Sequence, residues 1–212
     1  MYVSLASGEG LWYVDRRMAP ARADVLLRYI QTYLEPALGA FPELAGKLHL
    51  CLRSVGFYFR DAPEYQIDVN AKLVDALPPV RLRFLTAYML GYFSLQLRGF
   101  RQAVPGRGER YYDKCAAFLA FSRGFAGDWL QALLDGCKKE FCDFREKYYP
   151  FTCREILPVP CRALECPPAG RLAQALCAAA AQADFCGEVD FGRLIAQAWA
   201  RCGDTDSGGA AL

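Results

Sequence analysis

The 212-residue sequence predicts a mainly α fold, a multi-helix bundle built around one hydrophobic helix at residues 80–104. Three observations carry that prediction. The run from 84 to 97 contains no charged residue, and an apolar helix without a polar face has to be surrounded by other helices to leave water. Most of the flanking segments repeat their apolar residues every three or four positions, the period of an amphipathic helix. Composition agrees, with 54% hydrophobic and 23% charged residues, which is globular and not disordered.

The elements follow in order. Residues 2–14 alternate around Ser7-Gly8-Glu9-Gly10 and fit a short N-terminal β-hairpin that needs helices to lie on. Val25, Leu26, Tyr29, Ile30, Tyr33 and Leu34 form the stripe of a first helix, opened by Pro20 and stopped or kinked by Pro36. Leu44, Leu48, Cys51, Leu52, Val55 and Phe59 predict a second helix, begun by Pro42. Val69, Leu73 and Leu77 predict a weaker third, ended by Pro78-Pro79.

The central helix comes next, with Ala87 and Gly91 leaving room for a neighbouring backbone, and Pro105-Gly106-Arg107-Gly108 turning the chain out of it. Tyr111, Cys115, Phe118, Leu119 and Ser122 continue helically to Arg123. Asp128 caps a longer helix whose stripe is Trp129, Leu133, Cys137, Phe141, Phe144 and Tyr148. Five prolines between 150 and 170 predict a Pro/Cys-rich strap, followed by two closing helices around Leu172, Leu176, Cys177, Ala180 and around Phe191, Leu194, Ile195, Ala198, Trp199, Cys202. The expected organisation is a single helical domain over 1–202 and a disordered tail over 203–212.

Function classes narrow by what the residues allow. A net charge of +2 argues for no class of partner by itself, but residues 80–114 hold seven basic and two acidic side chains. Neither a secretory leader nor a membrane-length apolar run is visible, so the reading is a cytoplasmic protein with its ten cysteines mostly reduced. Nucleotide-loop, G-x-S-x-G and H-E-x-x-H signatures are missing. The sole histidine, His49, has no partner set by spacing and reads as a solvent-facing or core-edge residue.

Three candidate sites remain. Arg98, Arg101, Arg107 and Arg110, with Phe100, Tyr111 and Tyr112 interleaved around the Gly-rich turn, have the composition that holds phosphates and stacks bases. The same residues also describe an ordinary solvated helix end. Cys142, Cys153, Cys161 and Cys166 are weak candidates for a structural zinc or a disulfide, because C-x4-C is a poorer signal than C-x2-C. Asp61, Glu64, Asp68 and Asp75 are close enough in sequence to consider a shared proton or metal, although acids so spaced usually solvate a helix.

A hydrophobic helix wrapped by amphipathic ones, then Asp128-Trp129-Leu130-Gln131 ahead of Gly136, resembles the fold of the apoptosis-regulator family that includes cellular and viral death inhibitors. Of that family's two groove motifs, N-W-G-R is absent, and of the Trp-aliphatic start leading to G-G-W only Trp129-Leu130 is present. The likeness covers a few residues and is an architectural analogy. The function expected from the residues is a non-enzymatic protein-binding or regulatory module, without a resident cofactor, acting near the central helix. The alternatives are a nucleic-acid or phosphate binder using residues 98–112, and an enzyme or small-molecule pocket of carboxylates and tyrosines.

Overall fold

A computed structural model describes residues 2–7, 10–15, 20–53, 58–60, 65–138 and 168–203, and it is mainly α. Contacts group the chain into two compact units, Met1–Phe100 and Arg101–Leu212.

The first unit opens with the hairpin read from the alternation. Strands β1 (Tyr2–Ser7) and β2 (Gly10–Asp15) pair antiparallel, with Tyr2 opposite Asp15 and Ser7 opposite Gly10. Helix α1 (Pro20–Tyr29) then runs through a π turn at Ile30–Leu34 into α2 (Glu35–Leu38). Pro36 therefore does not stop the helix. It has no N–H for the ladder and its ring crowds the preceding turn, so the register widens just before it: Glu35 N–H donates to Ile30 C=O.

The second predicted helix does not form. Pro42 opens only a 3-10 turn (Pro42–Leu44), and β3 (His49–Arg53), β4 (Tyr58–Arg60) and β5 (Gln66–Asn70) follow. The helical spacing of Leu44, Leu48 and Cys51 competes with a strict period of two at Leu48, Leu50 and Leu52, and the period of two wins. Leu48 and Leu50 are buried while His49 between them is exposed. Gly46, at φ +71, breaks the helical path before the strand. Strand β5 lies in the middle of the sheet, parallel to β3 and antiparallel to β4. Val69 accordingly belongs to β5 and not to the third helix, which is the short α3 (Ala71–Ala76), capped by the Asn70 side chain accepting from Lys72 N–H at 2.9 Å.

The central helix α4 (Pro79–Leu97) uses Pro79 in its first turn. It ends earlier than the sequence suggested because Gly99 takes φ +66 and closes it, donating its N–H to Gln96 C=O at 2.9 Å. Phe100–Ala103 is a separate turn of helix, α5. Every residue of α4 from Phe84 to Leu95 is buried, and the helix packs against the π turn, α2 and the 3-10 turn.

Two buried hydroxyls of α4, those of Thr86 and Ser94, are paired with groups beyond the helix. Thr86 donates to Leu82 C=O at 2.7 Å, so the Tyr29 hydroxyl, 2.8 Å away, donates to Thr86. Burial holds the Tyr29 hydroxyl well above its ordinary pKa, with the Thr86 contact opposing it. Near the C-terminal end of α4, Ser94 donates to Glu43 on the 3-10 turn, and Arg98 approaches the same carboxylate at 3.4 Å.

In the second unit α6 (Glu109–Ala120) passes through a π turn at Phe121–Phe125 into α7 (Ala126–Lys138). Gly124 has φ +99 here, a backbone that other residues rarely adopt. Asp128 sits inside the first turn of α7 and not at its cap, where its charge still favours the positive end of the helix. Helices α8 (Pro168–Ala180) and α9 (Phe191–Gly203) are the two closing helices. They pack on each other, and α8 also packs on α7 and the π turn. Phe118, Phe121 and Trp129 form a fully buried aromatic core, with ring centroids 5.2 and 5.1 Å apart. Most of the strap at 150–170, the end of the long helix beyond 138, and the tail after Gly203, which itself ends α9, lie outside the described residues.

No described helix is long and apolar enough to cross a membrane.

Candidate functional site

The basic stretch is divided between the two units. Arg98 belongs to the first, where its guanidinium is turned toward Glu43. Arg101, Arg107, Arg110, Tyr111 and Tyr112 belong to the second, and the local fold explains their placement. Pro105 and Gly106 (φ +81) turn the chain after α5, and Gly108 begins α6, which sets Tyr111 and Tyr112 in its first turn.

Two small clusters result. In one, Arg101 pairs with Glu109 at 2.7 Å and lies 5.0 Å over the Tyr112 ring, while the Tyr112 hydroxyl donates to Val104 C=O at 2.9 Å. In the other, Arg107 pairs with Glu188 and lies 5.3 Å over the Tyr111 ring. The Tyr111 hydroxyl accepts the Val189 N–H at 2.8 Å, and its ring meets Phe191 at 5.5 Å and a 64° angle. Lys114 stands 6.0 Å from the Phe191 ring, which also packs on Phe118 at 5.2 Å. Burial pushes the Tyr111 hydroxyl above its usual pKa, against the pull of the Val189 N–H.

These contacts change what the stretch can do. A base stacks on an open ring face, yet guanidinium groups lie over Tyr111 and Tyr112, and Tyr112 is buried. A phosphate is attracted by uncompensated charge, yet Arg101 and Arg107 each face a carboxylate of the same chain. The stretch joins the Gly-rich turn and α6 to the turn before α9.

The carboxylates separate. Asp68 is buried on β5 and accepts from Gln66 of the same strand, whereas Asp75 is exposed on α3 and pairs with Arg28 of α1. Asp61 and Glu64 lie outside the described residues, as do Cys142, Cys153, Cys161 and Cys166. Among the described residues, Cys115, Cys177, Cys186 and Cys202 are thiols, and no three His, Cys, Asp or Glu side chains converge on a point that would hold a metal. Burial pushes the Cys115 thiol up to about 12, with the Tyr111 contact opposing, so it is inert at neutral pH.

The partners Glu188, Val189 and Phe191 were not anticipated as part of this region. The only signal for them in the sequence is the placement of Phe191 on the apolar stripe of the last helix, which marks it as packed without saying against what. Trp129 and Leu130, which carry the resemblance to apoptosis regulators, are buried in α7. The chain matches no protein-family model, no curated protein and no solved structure.

Proposed function

We propose that the protein is a non-enzymatic protein-binding module that acts through a surface at the foot of the central helix. The observation that carries this reading is the elbow between α3 and α4. Leu77 (φ −82, ψ 141) and Pro78 (φ −56, ψ 142) are in the polyproline II conformation. Ala76, Pro78 and Pro79 are exposed, with Leu77 and Val80 half-buried beside them, while the helix they lead into is buried. An extended, stiff, apolar segment loses little entropy when a partner with an aromatic-lined groove takes it.

The engagement of Arg101, Arg107, Asp68 and Asp75 by groups of the same chain favours this reading over a nucleic-acid surface or a carboxylate site. The test compares partner retention by the wild type, by the elbow variant Leu77→Glu/Val80→Glu and by the basic variant Arg101→Gln/Arg110→Gln, after nuclease treatment. The reading requires one protein retained by the wild type and the basic variant, weakened at least about 10-fold by the elbow variant, with affinity nearly flat in salt when remeasured with purified partner. Retention lost in the basic variant, abolished by nuclease and falling steeply with salt, establishes the nucleic-acid reading instead.

A further inference from the structure

We infer that the edge of α6 carrying Tyr111, Lys114 and Phe118, together with Arg107 of the turn before it, is a receptor for short acidic-apolar peptide segments, and that residues 188–191 occupy it in cis. The site shares no residue with the α3–α4 elbow and stands on different contacts.

Glu188-Val189-Asp190-Phe191 alternates acid and apolar residues, and three of the four are held by a distinct kind of contact. The Glu188 carboxylate meets the Arg107 guanidinium, a charge anchor. The Val189 main-chain N–H is taken by the Tyr111 hydroxyl, a contact that any residue but proline supplies, while its buried side chain asks for an apolar residue. The Phe191 ring packs on Tyr111 and Phe118 beneath the Lys114 ammonium, an apolar anchor with a cation beside it. Asp190 is spent differently, accepting the Arg193 N–H at 3.0 Å at the start of α9. The recognised pattern is therefore an acid, an apolar residue, any residue, and an aromatic one.

The cis segment is held in a way that allows release. Arg107 and Glu188 remain 44% and 65% exposed, so their attraction is screened and weak. Ala181, Gln182, Asp184, Cys186 and Glu188 in the preceding turn are exposed, and of residues 181–190 Val189 alone is buried. A turn with so little buried surface opens locally at low cost. A trans segment then binds with its affinity reduced by the fraction of molecules in which the turn is open.

The experiment titrates the full chain with a fluorescent peptide copying residues 184–192. Compared with wild type, Glu188→Gln binds the peptide about 3-fold more tightly, the effect of losing one exposed ion pair in cis. Glu188→Gln/Phe191→Ala binds it about 10-fold more tightly or better. Adding Arg107→Gln to either variant removes the gain, and so does a peptide in which Gln replaces Glu188. Equal affinity for wild type and both variants, or binding that survives Arg107→Gln unchanged, overturns the inference. If loss of Phe191 unfolds the second unit, Glu188→Gln alone decides, together with hydrogen exchange at Val189, which must speed up in that variant. Peptide binding on this pattern supports the receptor whatever partner the elbow retains. Absence of peptide binding overturns the receptor alone and leaves the elbow reading standing.

Discussion

The central helix and the basic stretch that follows it are adjacent in sequence and opposite in physical character. From Phe84 to Leu95 α4 is buried all round, and its polar atoms are matched by partners that are themselves buried or partly buried: Tyr29 to Thr86, Glu43 to Ser94. Between Arg101 and Tyr112 the contacts are exposed ion pairs and cations over rings. Named interactions therefore mean very different things in the two regions. Low dielectric makes each match in α4 costly to break, whereas solvent screens the pairs around the Gly-rich turn. One region is scaffold and the other is a set of releasable ties.

Substitutions sharpen this contrast by the size of their effects. Phe93→Ala removes a fully buried ring from α4 and should cost about 3–5 kcal/mol in urea unfolding; a loss under about 1 kcal/mol would mean that α4 is not core. Thr86→Val keeps the shape but removes the hydroxyl that faces the buried Tyr29 hydroxyl, for a loss of about 1–3 kcal/mol. Gly124→Ala forces a side chain into φ +99 at the π turn of the second unit and should cost about 1–2 kcal/mol. A neutral result there would show that the turn relaxes to another path.

At the lower end, Arg107→Gln should change global stability by no more than about 1 kcal/mol. A larger loss would move the turn from tie to scaffold. Cys115 adds a pH dependence whose sign is set by burial. Below about pH 9 its thiol is protonated in folded and unfolded chains alike. Above that the unfolded chain gives up its proton while the folded thiol holds it to about 12, so the stability from this group declines as pH rises through that window. Cys115→Ala should flatten the decline, and in the wild type alkylation at pH 8 should mark exposed Cys186 long before Cys115.

Much of the helical fold was legible because its signals are local. The uncharged run of α4, the stripes of α1, α8 and α9 and the alternation of the hairpin each lie within about 20 residues and follow one period. The sheet was hidden by a coincidence, since Leu44, Leu48, Leu52 and Val55 fit helical spacing while Leu48, Leu50 and Leu52 fit a strand. The choice was made by pairing with Gln66–Asn70, which no local period reveals. The early end of α4 turns on a single glycine, Gly99, and the apolar residues Leu97, Phe100 and Val104 carry the helical spacing past it.

The basic stretch was legible as a set of residues, but its contact partners were not. Arg107 and Tyr111 read as available groups until Glu188, Val189 and Phe191 stood beside them, about 80 residues later in the chain. Compensation across that distance leaves no mark on the sequence around either partner. The four cysteine candidates of the 142–166 region stay outside the described residues, and their chemistry is open to metal analysis and alkylation.

The contrast between scaffold and tie is tested most directly by amide hydrogen exchange over the whole chain, in the wild type and in Arg107→Gln. Amides of α4 from Phe84 to Leu95 should exchange only at the rate of global unfolding, Val189 should exchange much faster, and Arg107→Gln should accelerate Val189 while leaving α4 unchanged. Exchange of α4 at the rate of Val189, or acceleration of α4 by Arg107→Gln, would contradict that contrast.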